Sequence, residues 1–197
     1  YQGMQIETDN LVGYDATEDD ALFPPEIEQE TMDAVIEMIR KAERPVIYAG
    51  SGIRHAHAYE IFREVIEKLG VPVVTYWNAI DLIEDVHPLY VGRGGNMGDR
   101  AGNFAVQNSD LVLAIGTRLS IRQVGYNYQS WARCAKVIMV DIDRAELRKH
   151  TLHVDVPVWA DAKDFLSKLN AAVSAENLLS KKEEWRVQCR MWKENYP

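Results

Sequence analysis

At 197 residues, 47% hydrophobic and 26% charged, the chain has the size and composition of one substantial globular domain, or of one domain with extended arms. Its net charge of −8 and the lack of a basic footprint argue against a nucleic-acid partner, and no apolar run approaches the roughly 20 residues of a membrane-spanning helix. Cys134 and Cys189 have no CxxC spacing, which excludes a disulfide framework and points to a reducing compartment, the cytoplasm.

The opening, "YQGMQIETDN", has neither the basic nor the apolar region of a secretory signal, and it lacks an initiator Met. It reads as the continuation of a longer polypeptide. Residues 1–39 hold eleven acids and no Lys or Arg, leaving the remainder at about +3. Residues 1–25 are therefore expected to be an acidic interdomain linker, extended over 1–22. Pro24-Pro25 predicts a helix start, and Ile27, Met32, Val35, Ile36 and Ile39 keep helical spacing until Pro45 enforces a stop. "PVIYAG" (45–50) predicts a strand. "YEIFREVIEKLG" (59–70) predicts an amphipathic helix with Gly70 as its C-cap.

"VPVVTYW" (71–77) is the second strand, and a glycine-rich loop (91–103) after the third leads into a short helix around 104–108. "DLVLAIG" (110–116) and "AKVIMVDID" (135–143) are continuous apolar runs of the kind covered on both faces. Asp143 is placed to cap the helix "RAELRKH". "HVDVPVWAD" (153–161) is expected at an edge, because Pro157 would interrupt a central ladder. "DAKDFLSKLNAAV" (161–173) returns to helix. Residues 175–197 read as a long charged helix whose Leu178, Trp185, Val187, Met191 and Trp192 pack either on this domain or on one that follows. Cys134, just before an apolar strand, is expected to be a small buried hydrophobe.

This alternation predicts an α/β fold: a three-layer, Rossmann-like, doubly wound parallel sheet of about six strands in order 3-2-1-4-5-6. Ligands of such sheets bind beyond the carboxyl ends of the strands, where strand order reverses, between strands one and four. Strand one ends in Gly50-Ser51-Gly52 and strand four in "GTRLSIR" (116–122). The glycines would bring backbone N–H groups close to a phosphate, or would form only a tight turn. Arg118 and Arg122, four apart, would share a face of a helical turn and grip a pyrophosphate, or would serve as surface ion-pair residues. Asp141 and Asp143 follow strand five, where a carboxylate accepts bonds from ribose hydroxyls. His55, His57, His150 and His153 lack any zinc-like spacing, and neither GxSxG nor GxxxxGK[ST] occurs.

Taken in order, "RPVIYAGSG", "GVPVVTYWNAIDLI", "GNMGDRAGNFAVQNSDLVLAIGTRLSIRQVG", "KVIMVDID" and "DVPVWADAKDFL" resemble the central domain of thiamine-diphosphate-dependent enzymes, nearest to acetolactate synthase and related 2-keto acid decarboxylases or carboligases. The resemblance runs from about Glu26 to Ala172. It implies a Rossmann-like central domain at 26–173, followed at 174–197 by a linker helix leading to a further domain. It also implies a non-catalytic segment of a larger homo-oligomeric enzyme, bracing a pyrimidine-binding and a diphosphate-binding domain. Thiamine diphosphate and magnesium would be held by those two domains, and no GDG segment for them occurs here.

In this family the central cleft takes FAD in an extended pose, ADP, or nothing. The positions that match the family's motifs are Gly50, Ser51 and Gly52; Thr75, Tyr76 and Trp77; Gly95, Asn96, Met97 and Gly98; Gly116, Thr117, Arg118, Ser120 and Arg122; Asp141 and Ile142; and Asp161 and Ala162. Leu119-Ser120-Ile121 replaces the Phe-Asp-Asp common between the two arginines of flavin-holding members, and Asn96-Met97 replaces a Met-His pair. A free-standing NAD-dependent oxidoreductase would need a third glycine where His55 stands. A pure interaction module would rest on exposed tryptophans in the last helix.

Overall fold

The computed structural model describes residue 4, residues 7–173 and residues 182–196. Six parallel strands form one sheet: β1 (Pro45–Ala49), β2 (Val73–Thr75), β3 (Tyr90–Arg93), β4 (Leu111–Ile115), β5 (Lys136–Asp141) and β6 (Val156–Trp159). Their order is β3-β2-β1-β4-β5-β6, as expected, with β6 and its Pro157 at an edge. The helices are α1 (Gln29–Lys41), α2 (Gly52–His55), α3 (Tyr59–Leu69), α4 (Arg100–Asn108), α5 (Ile121–Val124), α6 (Arg144–Leu147), α7 (Ala162–Ala172) and α8 (Glu183–Asn195).

The two-residue period of the strands sorts their side chains into two cores. Ile47, Leu113, Ile115, Ile138 and Val140 point to one face, where they meet Val35, Phe62 and Phe165 of α1, α3 and α7. Val46, Tyr48, Val112, Ala114 and Met139 point to the other, against Ala105 of α4 and Trp185 and Cys189 of α8. Both faces are covered, which is why β1 and β4 are apolar throughout. Gly70 closes α3 in the left-handed region at φ 57°, its N–H donating to the Ile66 carbonyl at 2.8 Å.

Several local expectations shift. α1 begins at Gln29, not after Pro24-Pro25, because the segment before it is tied to α7 in extended form. Ile27 is buried, and Lys168 Nζ donates to the Ile27 carbonyl at 2.9 Å and pairs with Glu26 at 2.8 Å. The acidic arm is exposed but turned, not extended over its length, with 3₁₀ segments at Thr8–Asn10 and Ala16–Leu22. Asp15 seeds the second by accepting from the Thr17 N–H and hydroxyl. The stretch from residue 91 begins as edge strand rather than loop. α4 then starts at Arg100, earlier than 104, because Gly102 lets its first turn lie within 2.7 Å, Cβ-equivalent to carbonyl carbon, of Arg93.

Cys134 is exposed, contrary to expectation: the turn ahead of β5 sends Trp131 and Ala132 inward in its place. The tryptophans of α8 are not an exposed patch either. Trp185 is buried, donates from Nε1 to the Pro45 carbonyl at 2.9 Å, and meets Trp192 edge to face. Just ahead of α8, buried Lys182 donates to the carbonyls of Ile39 (2.8 Å) and Ala42 (2.7 Å) at the C-terminal end of α1. The last helix thus belongs to this core; Leu178 lies outside the described residues. No helix among them is long and apolar enough to cross a membrane.

Candidate functional site

All the motif positions lie at the carboxyl ends of the six strands, around the reversal between β1 and β4. The turn after β1 is fastened to the turn after β4: Gly50 N–H donates to the Ile115 carbonyl (3.0 Å) and Gly52 N–H to that of Gly116 (2.9 Å). Gly116 takes the left-handed region at φ 57° and donates to Val140 of β5 at 3.0 Å. A Cβ at Gly50 would sit 2.6 Å from Thr117 Cα and closer still to the Gly116 oxygen. These glycines therefore let two backbones touch. With the N–H groups of Gly50 and Gly52 spent on Ile115 and Gly116, and Ile53 N–H on the Gly50 carbonyl, these glycines form a wall against the β4 turn. Ser51 Oγ accepts from Asn78 Nδ2 at 3.3 Å.

A second fastening joins the glycine loop to α5. Asn96 N–H donates to the Arg122 carbonyl at 2.9 Å, while Gly95 exchanges two hydrogen bonds with the Asn103 side chain. Gly98 packs on the Arg93 carbonyl. Thr75 is buried behind the wall with its hydroxyl 3.1 Å from that of Tyr90; Tyr76 donates to Ala49, and Trp77 stands half exposed. Met97 and Ile142 are exposed along the same edge.

Arg118 and Arg122 do not share a helical face, a correction to the spacing argument. Leu119 lies at φ 48° and Ser120 caps α5, so Arg118 sits outside the helix. It turns to α6, where its Nε and Nη2 meet Glu146 Oε1 at 2.7 and 2.6 Å. Lys149 completes the cluster, 3.2 Å from Glu146 Oε2 and donating to the carbonyls of Arg118 and Leu119. Arg122, on α5, is exposed and without a side-chain partner among the described residues. Thr117 is buried, receiving a bond from Gln123 Nε2 at 2.6 Å, while Gln123 Oε1 accepts from Ser120 N–H at 2.9 Å.

Asp141, at the end of β5, is 8% exposed, and burial pushes its carboxyl above the usual range. One oxygen accepts from Asp143 N–H at 2.9 Å; the other has no hydrogen bond among the described residues. Asp143 caps α6 as expected, through Ala145 N–H at 2.8 Å. Asp161 does the same for α7 through Lys163 N–H at 2.7 Å, with Ala162 buried beside it. Gln123, Glu146 and Lys149 were missed as site residues. Ser120-Ile121-Arg122-Gln123 carries a capping-box spacing that would have found Gln123. Nothing local links Glu146 or Lys149 to Arg118, about thirty residues away.

What remains directed outward is one free guanidinium (Arg122), an under-solvated carboxyl (Asp141), and the apolar faces of Trp77, Met97 and Ile142. That donor set fits a nucleotide laid across the strand ends and held by side chains. In the β1 turn, the N–H groups of Gly50, Gly52 and Ile53 already have backbone acceptors. Among the described residues no group of three or more His, Cys, Asp or Glu side chains could hold a metal ion.

The family description "Thiamine pyrophosphate enzyme, central domain" matches residues 32–169. The chain belongs to this family. It is 34% identical over 167 residues to an acetolactate synthase large subunit of Corynebacterium glutamicum, covering 84% of this chain and 26% of that protein. It is 36% identical over 152 residues to the acetolactate synthase isozyme 1 large subunit of Escherichia coli, covering 77% and 26%. It is 38% identical over 148 residues to a probable acetolactate synthase large subunit of Methanocaldococcus jannaschii, covering 75% and 24%. The chain thus spans about a quarter of the length of these relatives. A thiamine pyrophosphate enzyme central domain of the acetolactate synthase type accounts for its sheet order and its motifs, and a free-standing NAD-dependent oxidoreductase is not favoured.

Proposed function

We propose that this central domain is the non-catalytic brace of an acetolactate synthase-like, thiamine-diphosphate-dependent 2-keto acid carboligase or decarboxylase. In this reading residues 1–25 are the linker from a pyrimidine-binding domain, and residues 174–197 lead to a diphosphate-binding domain. Those domains hold thiamine diphosphate and magnesium and carry out the chemistry, in a homo-oligomer in the cytoplasm. The small share of each relative that the chain covers supports a division of labour of this kind.

The same edge is proposed to hold FAD or ADP. The observation that carries this is that the carboxyl edge of the sheet presents an unpaired Arg122, the buried Asp141 carboxyl at the end of β5, and exposed Trp77, Met97 and Ile142. The guanidinium would meet a phosphate, the carboxyl a ribose hydroxyl, and the apolar surfaces a ring. Titration of the purified chain with FAD, followed by quenching of flavin fluorescence, and with ADP, followed by calorimetry, tests the proposal. Saturable binding of either nucleotide that weakens in Arg122→Ala is expected. A chain indifferent to both leaves the bracing role standing and removes the nucleotide.

A further inference from the structure

Helix α8 carries Arg186, Arg190 and Lys193 at i, i+4 and i+7, a single stripe on its surface. The stripe lines a cavity of about 560 Å³ beside edge strand β3. The opposite wall is apolar, made by Pro72, Val86, Pro88, Leu89 and Val91. The cavity lies outside the set of motif positions at the strand ends, and no residue that lines it has a part in the nucleotide reading.

The polar groups around it divide into spent and unspent. His87 is satisfied at both nitrogens, with Nε2 2.7 Å from Glu67 and Nδ1 accepting from Leu89 N–H. Lys193 lies 4.7 Å over the Tyr90 ring, donates to the Asp85 carbonyl, and stands 3.8 Å from the Asp85 carboxylate. Arg186 pairs with Glu183 through Nη2, yet its Nε is buried without a partner. Arg190 is exposed and has no partner among the described residues. An uncommitted Arg190 guanidinium facing an apolar wall calls for an acceptor. With Asp85 and Glu194 at the rim offsetting part of the positive charge, a monoanion suits the site better than a dianion.

We propose that this cavity binds a small carboxylic acid with an aliphatic or aromatic body, its carboxylate taken by Arg190 and its body by Pro72, Leu89 and Val91. Burial lowers the Lys193 ammonium below its ordinary range, in keeping with a poorly hydrated floor.

Benzoate, benzyl alcohol and inorganic phosphate serve as probes, titrated into the isotope-labelled chain and followed by amide NMR. Benzoate is expected to shift α8 and residues 85–91 and to bind at least about tenfold more tightly than either alcohol or phosphate. Arg190→Ala, a change to an exposed side chain that the fold should tolerate, is expected to weaken benzoate about tenfold. Equal affinity for benzoate and benzyl alcohol overturns the proposal, as does phosphate matching benzoate, an unaffected Arg190→Ala, or shifts confined to the strand ends. These outcomes are independent of FAD or ADP binding, which is read at the other site.

Discussion

Replacing Gly50 with Ala tests whether the β1 turn is a wall pressed against β4. The new Cβ would lie 2.6 Å from Thr117 Cα, against a comfortable carbon–carbon separation of about 3.5 Å, a shortfall of roughly 0.9 Å. The obstructing atoms are backbone and the Thr117 Cβ, none of which can rotate aside as the end of a flexible side chain would. Retreat of the β4 turn would strain the bonds from Gly50 N–H to Ile115 and from Gly52 N–H to Gly116. Overpacking of this kind costs about 1–3 kcal/mol, and two weakened bonds add about 0.5–1.5 kcal/mol each. A loss of roughly 2–6 kcal/mol is therefore expected, a large part of the ~5–15 kcal/mol typical of a domain. Urea unfolding followed by far-UV circular dichroism measures it, with Gly13→Ala as control. No atom lies within 4 Å of a Cβ at Gly13, so that variant should stay within about 0.5 kcal/mol of the parent. A Gly50→Ala protein as stable as the Gly13→Ala control would refute the close-contact account and reopen the turn as a spacious phosphate loop.

Trp185→Ala should cost about 3–5 kcal/mol in the same assay through lost packing, whereas Trp185→Phe, which mainly forfeits the bond to the Pro45 carbonyl, should cost about 1 kcal/mol; equal, negligible losses would show α8 to be an appendage. Arg122→Ala should weaken the proposed FAD or ADP binding about tenfold, and Arg118→Ala clearly less, because Glu146 already engages Arg118; calorimetric titration of both variants checks the order. Asp141→Asn should stabilise the fold near neutral pH while weakening nucleotide binding. The folded-state pKa of Asp141 lies above the unfolded value, so the native state holds its proton to higher pH, and stability falls as pH rises through that window. The asparagine variant should lose this slope in unfolding free energies measured from about pH 4 to neutrality; an unchanged slope would show the Asp141 carboxyl to be well solvated.

The strand order was legible because six apolar runs separated by helical periods leave few ways to wind a parallel sheet, and Pro157 marked the edge in advance. Helix starts were less so. Pro24-Pro25 looked like a first turn, but Ile27 and the Lys168 clamp hold that segment extended, a tertiary constraint 141 residues away in sequence. Cys134 and Ala132 are both small, and only the turn geometry decides which faces inward. The wall of Gly50, Gly52 and Gly116 was visible as composition, yet its meaning was not, since glycines that admit a phosphate and glycines that admit another backbone are the same letters.

The two arginines show what spacing can and cannot carry. Four residues apart predicts a shared face only if the intervening backbone is helical, and Leu119 at φ 48° with Ser120 as cap breaks that condition. The result is a division of tasks that a shared face would not have allowed. Arg118, with Glu146 and Lys149, fixes the β4 turn to α6, while Arg122 is left without a side-chain partner beside the glycine loop. One guanidinium is thereby spent on shape, and the other is left exposed at the strand ends. Leu119-Ser120-Ile121 also stands where flavin-holding members commonly carry Phe-Asp-Asp, a departure that weakens the case for FAD without touching the fold. With Leu119, Ser120 and Ile121 in between, no neighbouring carboxylate competes for Arg122, and a phosphate would meet a guanidinium that is exposed and uncommitted.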